Sequence, residues 1–413
     1  MPNPYKIPRC EFMALTFPDL DFLTSPEGTA LLAELAAQDL TEKHTLTLLT
    51  QLRRRYTSEQ AGSALMMARL RQKAVPKFGP QAGQMLFTAN ALEQASDPLI
   101  RRYRAAQARG SSALDVCCGI GTDSFALAEA GKEVIGFEID TVRLAIARYN
   151  ADILRLPVRF EERDVTQGLP YSADTLFYDP ARRDDTGRRL FGVETYEPPL
   201  SLVREWTASL KAIKLAPGVD RLELHEYGGG LEFLSVEGEL KEAVLWLGAG
   251  WGGTRATLFA GGEVHHWQRQ DTEPNVQTAP PRAYLCEPDP SILRAGLVQD
   301  LAASLDGTML DSTIAYFCTD TLPQSPWVRA WRVREWMPFN LKKLRASLRE
   351  QNIGRVTVKK RGFPMSPEEL QAALKLKGKE ACTLVCTRFE GNPIVMICDE
   401  MPVNAKKFYN ENE

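Results

Sequence analysis

The stretch Ala113-Leu-Asp-Val-Cys-Cys-Gly-Ile-Gly-Thr-Asp-Ser-Phe-Ala-Leu127, followed by Val134-Ile-Gly-Phe-Glu-Ile-Asp140, reads as strand, glycine turn, helix, strand and acidic strand end. Leu114 and Val116 sit in an apolar run that ends in Gly119-Ile-Gly121, where missing side chains let the backbone pass close to a ligand. The helix from Thr122 onward then starts beside that ligand. Glu138 falls at the carboxyl end of the next strand, where a carboxylate can accept both hydroxyls of a ribose. An adenosine cofactor is the reading.

What the turn lacks narrows the choice. A dinucleotide site places a third glycine where Ser124 stands here, and a phosphate loop adds a lysine that this turn does not have. Asp115, four residues before Gly119, would repel a pyrophosphate but would hold the cationic amino group of a methionine. S-adenosylmethionine fits this turn better than NAD or ATP. Three further elements arrive in order: Glu138, then Asp164 after Val158-Arg-Phe160, then Tyr178-Asp-Pro-Ala-Arg-Arg183 after Thr175-Leu-Phe177.

At 413 residues the chain exceeds one ordinary core, and its 44% apolar and 25% charged residues are those of a globular protein. No apolar run approaches the roughly 18 residues of a membrane span, and Met1-Pro-Asn-Pro-Tyr-Lys6 has no signal-peptide core, so a cytoplasmic protein without membrane association is expected. Eight cysteines in so long a chain make no disulfide scaffold, and reduced thiols are expected. Cys382 and Cys386 lie in an apparent strand, about 13 Å apart at ~3.3 Å per residue, and cannot chelate one ion. The four histidines match no zinc spacing, so no metal is expected.

The pattern changes along the chain. Residues 1–105 form a helical amino-terminal region, with Thr24-Ser-Pro-Glu27 as a helix start and with Pro76 and Gly79-Pro80 as breaks. Strands and helices alternate from Ala113 to about Phe259, which argues a mainly parallel sheet in a domain spanning 106–265. A linker is expected over 266–282, then a second α/β module, expected to be ferredoxin-like, over 283–413. Between Arg329 and Lys379 stand 14 Lys and Arg against 4 Asp and Glu, a local +10 in a chain of net charge −3. The densest part, Lys342-Lys343 and then Lys359-Lys360-Arg361, alternates basic with apolar residues, so one face could pack while the other meets phosphate. A solvated charged face is the plainer alternative.

The chain resembles bacterial class I S-adenosylmethionine-dependent methyltransferases that carry a carboxy-terminal THUMP-like domain. The resemblance rests on Phe87-Thr88 with Leu92-Glu-Gln-Ala95, Asp115 to Gly121, Tyr178 to Arg183, Glu239-Leu-Lys-Glu-Ala243, Tyr284 to Val298, and Val358-Lys-Lys-Arg-Gly362. It implies an α/β architecture: a Rossmann-like methyltransferase domain with an amino-terminal helical region and a THUMP-like module. The catalytic domain is also similar to that of trimethylguanosine synthases, which methylate an exocyclic amine of a guanine. In those enzymes a segment ahead of the fold closes over the cofactor, and the similarity implies that part for Phe87-Thr88. THUMP domains bind structured RNA, so tRNA or rRNA is the implied partner; the oligomeric state is left open.

Methyl transfer from a sulfonium asks a protein mainly for orientation and proximity. Asp115 is expected at the methionine end, with Thr88 and the backbone of Cys117, Gly119 and Gly121 against the cofactor, Glu138 on the ribose and Ile139 beside it. Asp164 and Val165 lie where adenine is read, although Asp164 could equally cap the next turn. Asp179-Pro180 ends a strand on the substrate side and is the catalytic candidate. Amino-methyltransferases carry Asp/Asn-Pro-Pro-aromatic here, whereas this chain has Asp-Pro-Ala-Arg. The platform for a base must then come from Tyr178, Tyr196, Trp251 or the Arg182 guanidinium. Arg182 and Arg183 could instead pair with Asp184 and Asp185. Asp-Pro-Ala-Arg also occurs in RNA uracil-5 methyltransferases, which attack through a cysteine after the next strand. Leu222-Glu-Leu-His-Glu-Tyr-Gly228 has none, which disfavours covalent pyrimidine chemistry.

The expectation is methylation of a base nitrogen, exocyclic or in the ring, in structured RNA. The alternatives are a methyltransferase of a small molecule or protein, and a cofactor-binding RNA-interaction protein without turnover.

Overall fold

The computed structural model describes residues 14–182, 192–269 and 272–401. The chain divides into two compact units, one of residues 1–229 with 245–250 and one of 230–244 with 251–413.

The first unit opens with helices, and local chemistry sets their ends. Thr16 and Asp19 form a reciprocal capping box for Phe17–Thr24, and the Ser25 hydroxyl accepts the Gly28 N–H at 3.0 Å to start Pro26–Ala36. These two helices meet tightly, since a Cβ on Gly28 would lie 1.9 Å from the Phe22 carbonyl oxygen. The 21-residue helix Ser58–Phe78 carries Pro76 inside its last turn and stops at Gly79, whose φ is +66°. Pro76 therefore does not break it as expected. A proline this close to the carboxyl end disturbs only the last turn, and the glycine supplies the stop.

Five parallel strands come next in the chain: β1 (Ser112–Val116), β2 (Glu133–Glu138), β3 (Val158–Glu162), β4 (Ala173–Tyr178) and β5 (Ala208–Leu215). Their order is 3-2-1-4-5, so the direction of winding reverses between β1 and β4, where open α/β sheets place ligands. The amino-terminal helices are not a separate body. Leu23, Leu31, Leu35, Met67 and Phe87 share one continuous core with Cys118, Ile120 and Phe125 of the glycine turn and its helix. Asn150, fully buried on helix Thr141–Leu154, accepts the Leu86 N–H (2.8 Å) and donates to the Leu86 carbonyl (2.9 Å). Asn150→Ala would leave both backbone groups unpaired away from water, so a loss of about 2–4 kcal/mol is expected. A urea midpoint that does not move would contradict it.

In the second unit β6 (Gly230–Val236) runs parallel to β8 (Gly253–Ala260), and β8 forms a hairpin with β9 (Glu263–Gln268). Strand β7 (Glu239–Leu247) contributes its first residues to this unit and its last to the first. The strand and helix alternation expected as far as Phe259 therefore stops at β5. The chain leaves β5 through the short tight turn Leu222–Tyr227, closed by Gly228 and Gly229 at positive φ, and no helix separates β6 from β9. Residues expected as a linker are laid against their neighbours. Arg269 pairs with Asp300 (2.8 Å), and Ala279 N–H donates to the Met309 carbonyl (2.9 Å).

The module beyond it is a seven-stranded sheet: β10 (Tyr284–Pro288), β11 (Thr308–Asp311), β12 (Ile314–Thr319), β13 (Val328–Pro338), β14 (Ile353–Lys360), β15 (Glu380–Phe389) and β16 (Asn392–Glu400), in the order 11-12-10-13-16-15-14. From β13 onward the elements run strand, helix, strand, helix, strand, strand, with β14 and β15 parallel. A ferredoxin-like module would place its hairpin before the second helix, so that expectation is corrected. The sheet curls until its two ends meet. Asp311 at the end of β11 accepts the Gly391 N–H (2.8 Å), and the Arg361 guanidinium lies over Tyr316 (5.2 Å). Leu285, Tyr316, Trp331 and Met396 fill the concave side, and helices Leu341–Glu350 and Pro367–Leu374 cover the other. Among the described residues no helix is long and apolar enough to cross a membrane.

Candidate active site

The ends of β1, β2, β4 and β5 carry three carboxylates, Asp115, Glu138 and Asp179, and one buried lysine, Lys214. Cys117 leaves β1 at φ +64°, and Gly119 and Gly121 continue the turn at +59° and +85°. A Cβ on Gly121 would lie 2.7 Å from the Phe125 ring, so glycine is required there both for conformation and for space. A Cβ on Gly119 would meet nothing within 4 Å, so the turn faces open space at that point.

Asp115, 1% exposed, accepts the Ser124 hydroxyl at 2.5 Å through Oδ2, while its buried Oδ1 accepts no hydrogen bond. Burial pushes its carboxyl up to about 8, and the charges of Asp123 and Asp179 add to the shift. Asp123 is itself tied to the Arg104 guanidinium, which stacks 4.6 Å from Phe177.

Glu138 sits at the end of β2 and is already engaged. Its Oε2 accepts the Gly119 N–H (2.8 Å), and its Oε1 accepts the N–H groups of Ile139 and Asp140 (3.0 Å each). A carboxylate has about four acceptor positions, so one remains against the two ribose hydroxyls expected of it. Ile139 beside it is apolar yet 63% exposed. Asp164 caps a turn: its Oδ1 accepts the Thr166 N–H (3.0 Å) and hydroxyl (2.6 Å), and these bonds lower its carboxyl below the usual range. Val165 next to it is buried. Thr88 caps helix Ala89–Gln94 through the Ala91 N–H (3.2 Å). Phe87 is fully buried, 5.2 Å from Phe78, and so is a core residue rather than a closing flap.

At the position expected to face a substrate, Asp179 follows β4, with Pro180 buried behind it. Asp179 Oδ2 lies 2.7 Å from Nζ of Lys214 on β5, whose side chain is 4% exposed and whose ammonium also reaches the Gln94 carbonyl (3.2 Å). Lys214 escaped the reading of the sequence. Tyr178 is corrected as a base platform. Its ring is fully buried edge-on to Trp206 (5.0 Å), its hydroxyl donates to the Pro198 carbonyl (2.7 Å), and burial raises that hydroxyl's pKa far above the ordinary tyrosine value. Tyr196 is buried as well, and Trp251, a residue of the second unit, is covered by the Arg255 guanidinium at 4.0 Å. Arg182 is half-buried; Arg183, Asp184 and Asp185 lie outside the described residues. The loops after β4 and β5 instead carry Tyr227, half-buried, bonded to Glu194 and capped by the Arg204 guanidinium at 4.4 Å. Its only sequence signal was a place in the stretch read for a missing cysteine.

Cys117 and Cys118 are poorly set to act as nucleophiles. Burial first, then the charges of Glu138, Asp179 and Asp115, push the Cys117 thiol well above its ordinary value, and Cys118 is raised in the same way. Among the described residues no group of His, Cys, Asp and Glu could hold a metal ion.

The basic module divides into engaged and exposed charges. Lys359 pairs with Glu287 (2.6 Å) and lies over Trp331 (4.3 Å), and Arg361 is held on Tyr316, so these two are turned into the curled sheet. Lys342, Lys343 and Lys360 are exposed; the first two open a helix capped by Asn340.

The chain's own atoms fit S-adenosylmethionine: an orphaned, buried carboxylate oxygen on Asp115 for an ammonium, open space at Gly119, and an exposed apolar Ile139 for an adenine face. The comparisons agree. A methyltransferase domain model matches residues 113–178, a THUMP domain-like model matches 328–400, and a domain of unknown function matches 17–74. A S-adenosylmethionine-dependent methyltransferase of Mycobacterium tuberculosis, itself uncharacterized, is 35% identical over 332 residues, 77% of this chain and 90% of its own length. A 23S rRNA (uracil(747)-C(5))-methyltransferase of Pyrococcus abyssi is 31% identical over 86 residues, 21% of each chain. The crystal structure of a candidate methyltransferase of Porphyromonas gingivalis W83 has the same fold, with TM-score 0.73 at 20% identity over 90% of this chain and 97% of that one. The chain belongs to the S-adenosylmethionine-dependent methyltransferases. It is an enzyme with S-adenosylmethionine as cofactor, built on a Rossmann-like core with an amino-terminal helical region and a THUMP-like module, and distantly related to RNA methyltransferases.

Proposed function

We propose that the enzyme methylates a base nitrogen of structured RNA, tRNA or rRNA, with residues 106–265 as the catalytic domain and 283–413 as the RNA-binding module. The observation that carries the reading is Asp179 at the tip of β4, whose N–H donates to the carbonyl of Val116 (3.2 Å), the residue after Asp115 on the neighbouring strand. Asp115 holds the methionine ammonium, the turn from Cys117 to Gly121 lines the cofactor, Glu138 takes a ribose hydroxyl, and Ile139 with Asp164 and Val165 borders adenine. Bound S-adenosylmethionine supplies an activated methyl group. Asp179 accepts a hydrogen bond from the target amine and turns its lone pair toward that methyl. The similarity to trimethylguanosine synthases favours an exocyclic amine. The P. abyssi relative acts on uracil C5 in rRNA, which supports RNA as substrate, but no thiol of this site is fit for that covalent route. Seven free cysteines among the described residues suit a cytoplasmic enzyme.

RNA contact belongs to the exposed charges, Lys342, Lys343 and Lys360. Replacing all three by alanine is expected to weaken RNA binding equally across sequences and to flatten the dependence of log affinity on log salt by about 2 to 3. S-adenosylmethionine affinity should not change. A salt slope equal to that of the wild type would remove these residues from the interface. Labelled methyl transfer to total cellular RNA tests the function itself, and transfer to protein or small-molecule fractions alone would favour the alternative substrates.

A further inference from the structure

The geometry points to Lys214 as a positioning residue for methyl transfer: its buried ammonium fixes the orientation of Asp179 and ties that acid to the helix behind Thr88. The inference rests on the reading that Asp179 faces the methyl acceptor.

Lys214 is 3% exposed, a position that a lone ammonium does not tolerate without partners. Among the described residues its two bonds run to functional elements. One is to Asp179 Oδ2 at 2.7 Å, the other to the carbonyl of Gln94 at 3.2 Å, the last residue of helix Ala89–Gln94 that Thr88 caps. The backbone holds Asp179 from a third side, since its N–H donates to the Val116 carbonyl at 3.2 Å. With Oδ2 occupied, Oδ1 is the oxygen left for an incoming N–H. A carboxylate free to rotate would present either oxygen over a range of angles, and a misplaced acceptor costs rate rather than binding. In the transfer the methyl carbon leaves sulfur and bonds to the acceptor nitrogen, the S–C electron pair returns to sulfur, and the acceptor then releases one proton to solvent. The Lys214 ammonium neither gives nor takes a proton in this sequence. It orients the group that orients the nucleophile.

The test compares wild type, Lys214→Met, Lys214→Arg, Asp179→Asn and the Lys214→Met/Asp179→Asn double variant. Turnover is measured with total cellular RNA and labelled cofactor, and cofactor affinity by calorimetry. Lys214→Met is expected to lower kcat by ~100-fold with cofactor Kd unchanged within about twofold, and Lys214→Arg to recover to within ~10-fold of wild type. The double variant should be little worse than Asp179→Asn alone, because both changes remove one unit. A purely structural role predicts instead that cofactor affinity falls together with kcat and that arginine does not rescue. Lys214→Met at wild-type kcat beside an inactive Asp179→Asn, or losses that multiply in the double variant, would overturn the role of Lys214 and leave that of Asp179 standing. Asp179→Asn at wild-type kcat, or a wild type that transfers no methyl to RNA, would overturn the reading on which it rests. Should Lys214→Met fail to fold, Lys214→Gln carries the same comparison.

Discussion

Asp115→Asn is expected to make the cofactor-free protein more stable at alkaline pH and a poorer binder of S-adenosylmethionine. The wild-type carboxyl is pushed up to about 8 in the folded chain because charging it where it is buried is unfavourable. A folded-state value above the unfolded one means that the native protein holds the extra proton, so this group's contribution to stability falls as pH rises from about 4 to about 8. The full difference above that window is about 5 kcal/mol. Asparagine keeps an oxygen for the Ser124 hydroxyl and never ionises. Its variant should therefore melt on the order of 10 °C higher at pH 9, with the gain gone near pH 4. The loss lies in binding: without a carboxylate for the methionine ammonium, affinity should fall roughly 10- to 100-fold. Calorimetry and thermal melts across pH read both effects. Wild-type affinity in Asp115→Asn would take that residue away from the cofactor, and equal melting temperatures at pH 9 would deny its burial as an acid.

Asp179→Ala should destabilise the fold as well as stop turnover. Removing the acid leaves the Lys214 ammonium buried with, among the described residues, the Gln94 carbonyl as its remaining hydrogen-bond partner, and breaking a buried pair from one side costs about 3–5 kcal/mol. Adding Lys214→Met should restore much of that stability without restoring activity, because an apolar side chain of similar length needs no partner. Urea unfolding of the single and double variants decides the point. A loss below about 1 kcal/mol in Asp179→Ala would mean that the pair is already well solvated.

The shape of the turn proposed to hold the cofactor was legible in the sequence because backbone geometry dictates it. Gly119 and Gly121 sit at positive φ, and the strand ends at Asp115 and Glu138 are set by the apolar runs before them. Side-chain partners were not legible, since they depend on which strands become neighbours. Lys211 and Lys214 look alike in Ala208–Leu215, yet only the placement of β5 beside β4 sets Lys214 against Asp179. Similarly, Lys359 and Arg361 read as free charges until the curl of the sheet brings them onto Trp331 and Tyr316. Tyr178, an aromatic next to the acid proposed for the substrate side, is buried because both faces of β4 are covered from Thr175 to Tyr178, and it packs on Trp206.

Mass spectrometry of nucleosides from total RNA of cells with the gene, without it, and with the Asp179→Asn form is the most direct test. The proposal that this enzyme methylates an RNA base predicts that one N-methylated nucleoside disappears on deletion, returns with the wild type and stays absent with Asp179→Asn. An unchanged nucleoside profile in every RNA fraction would contradict it.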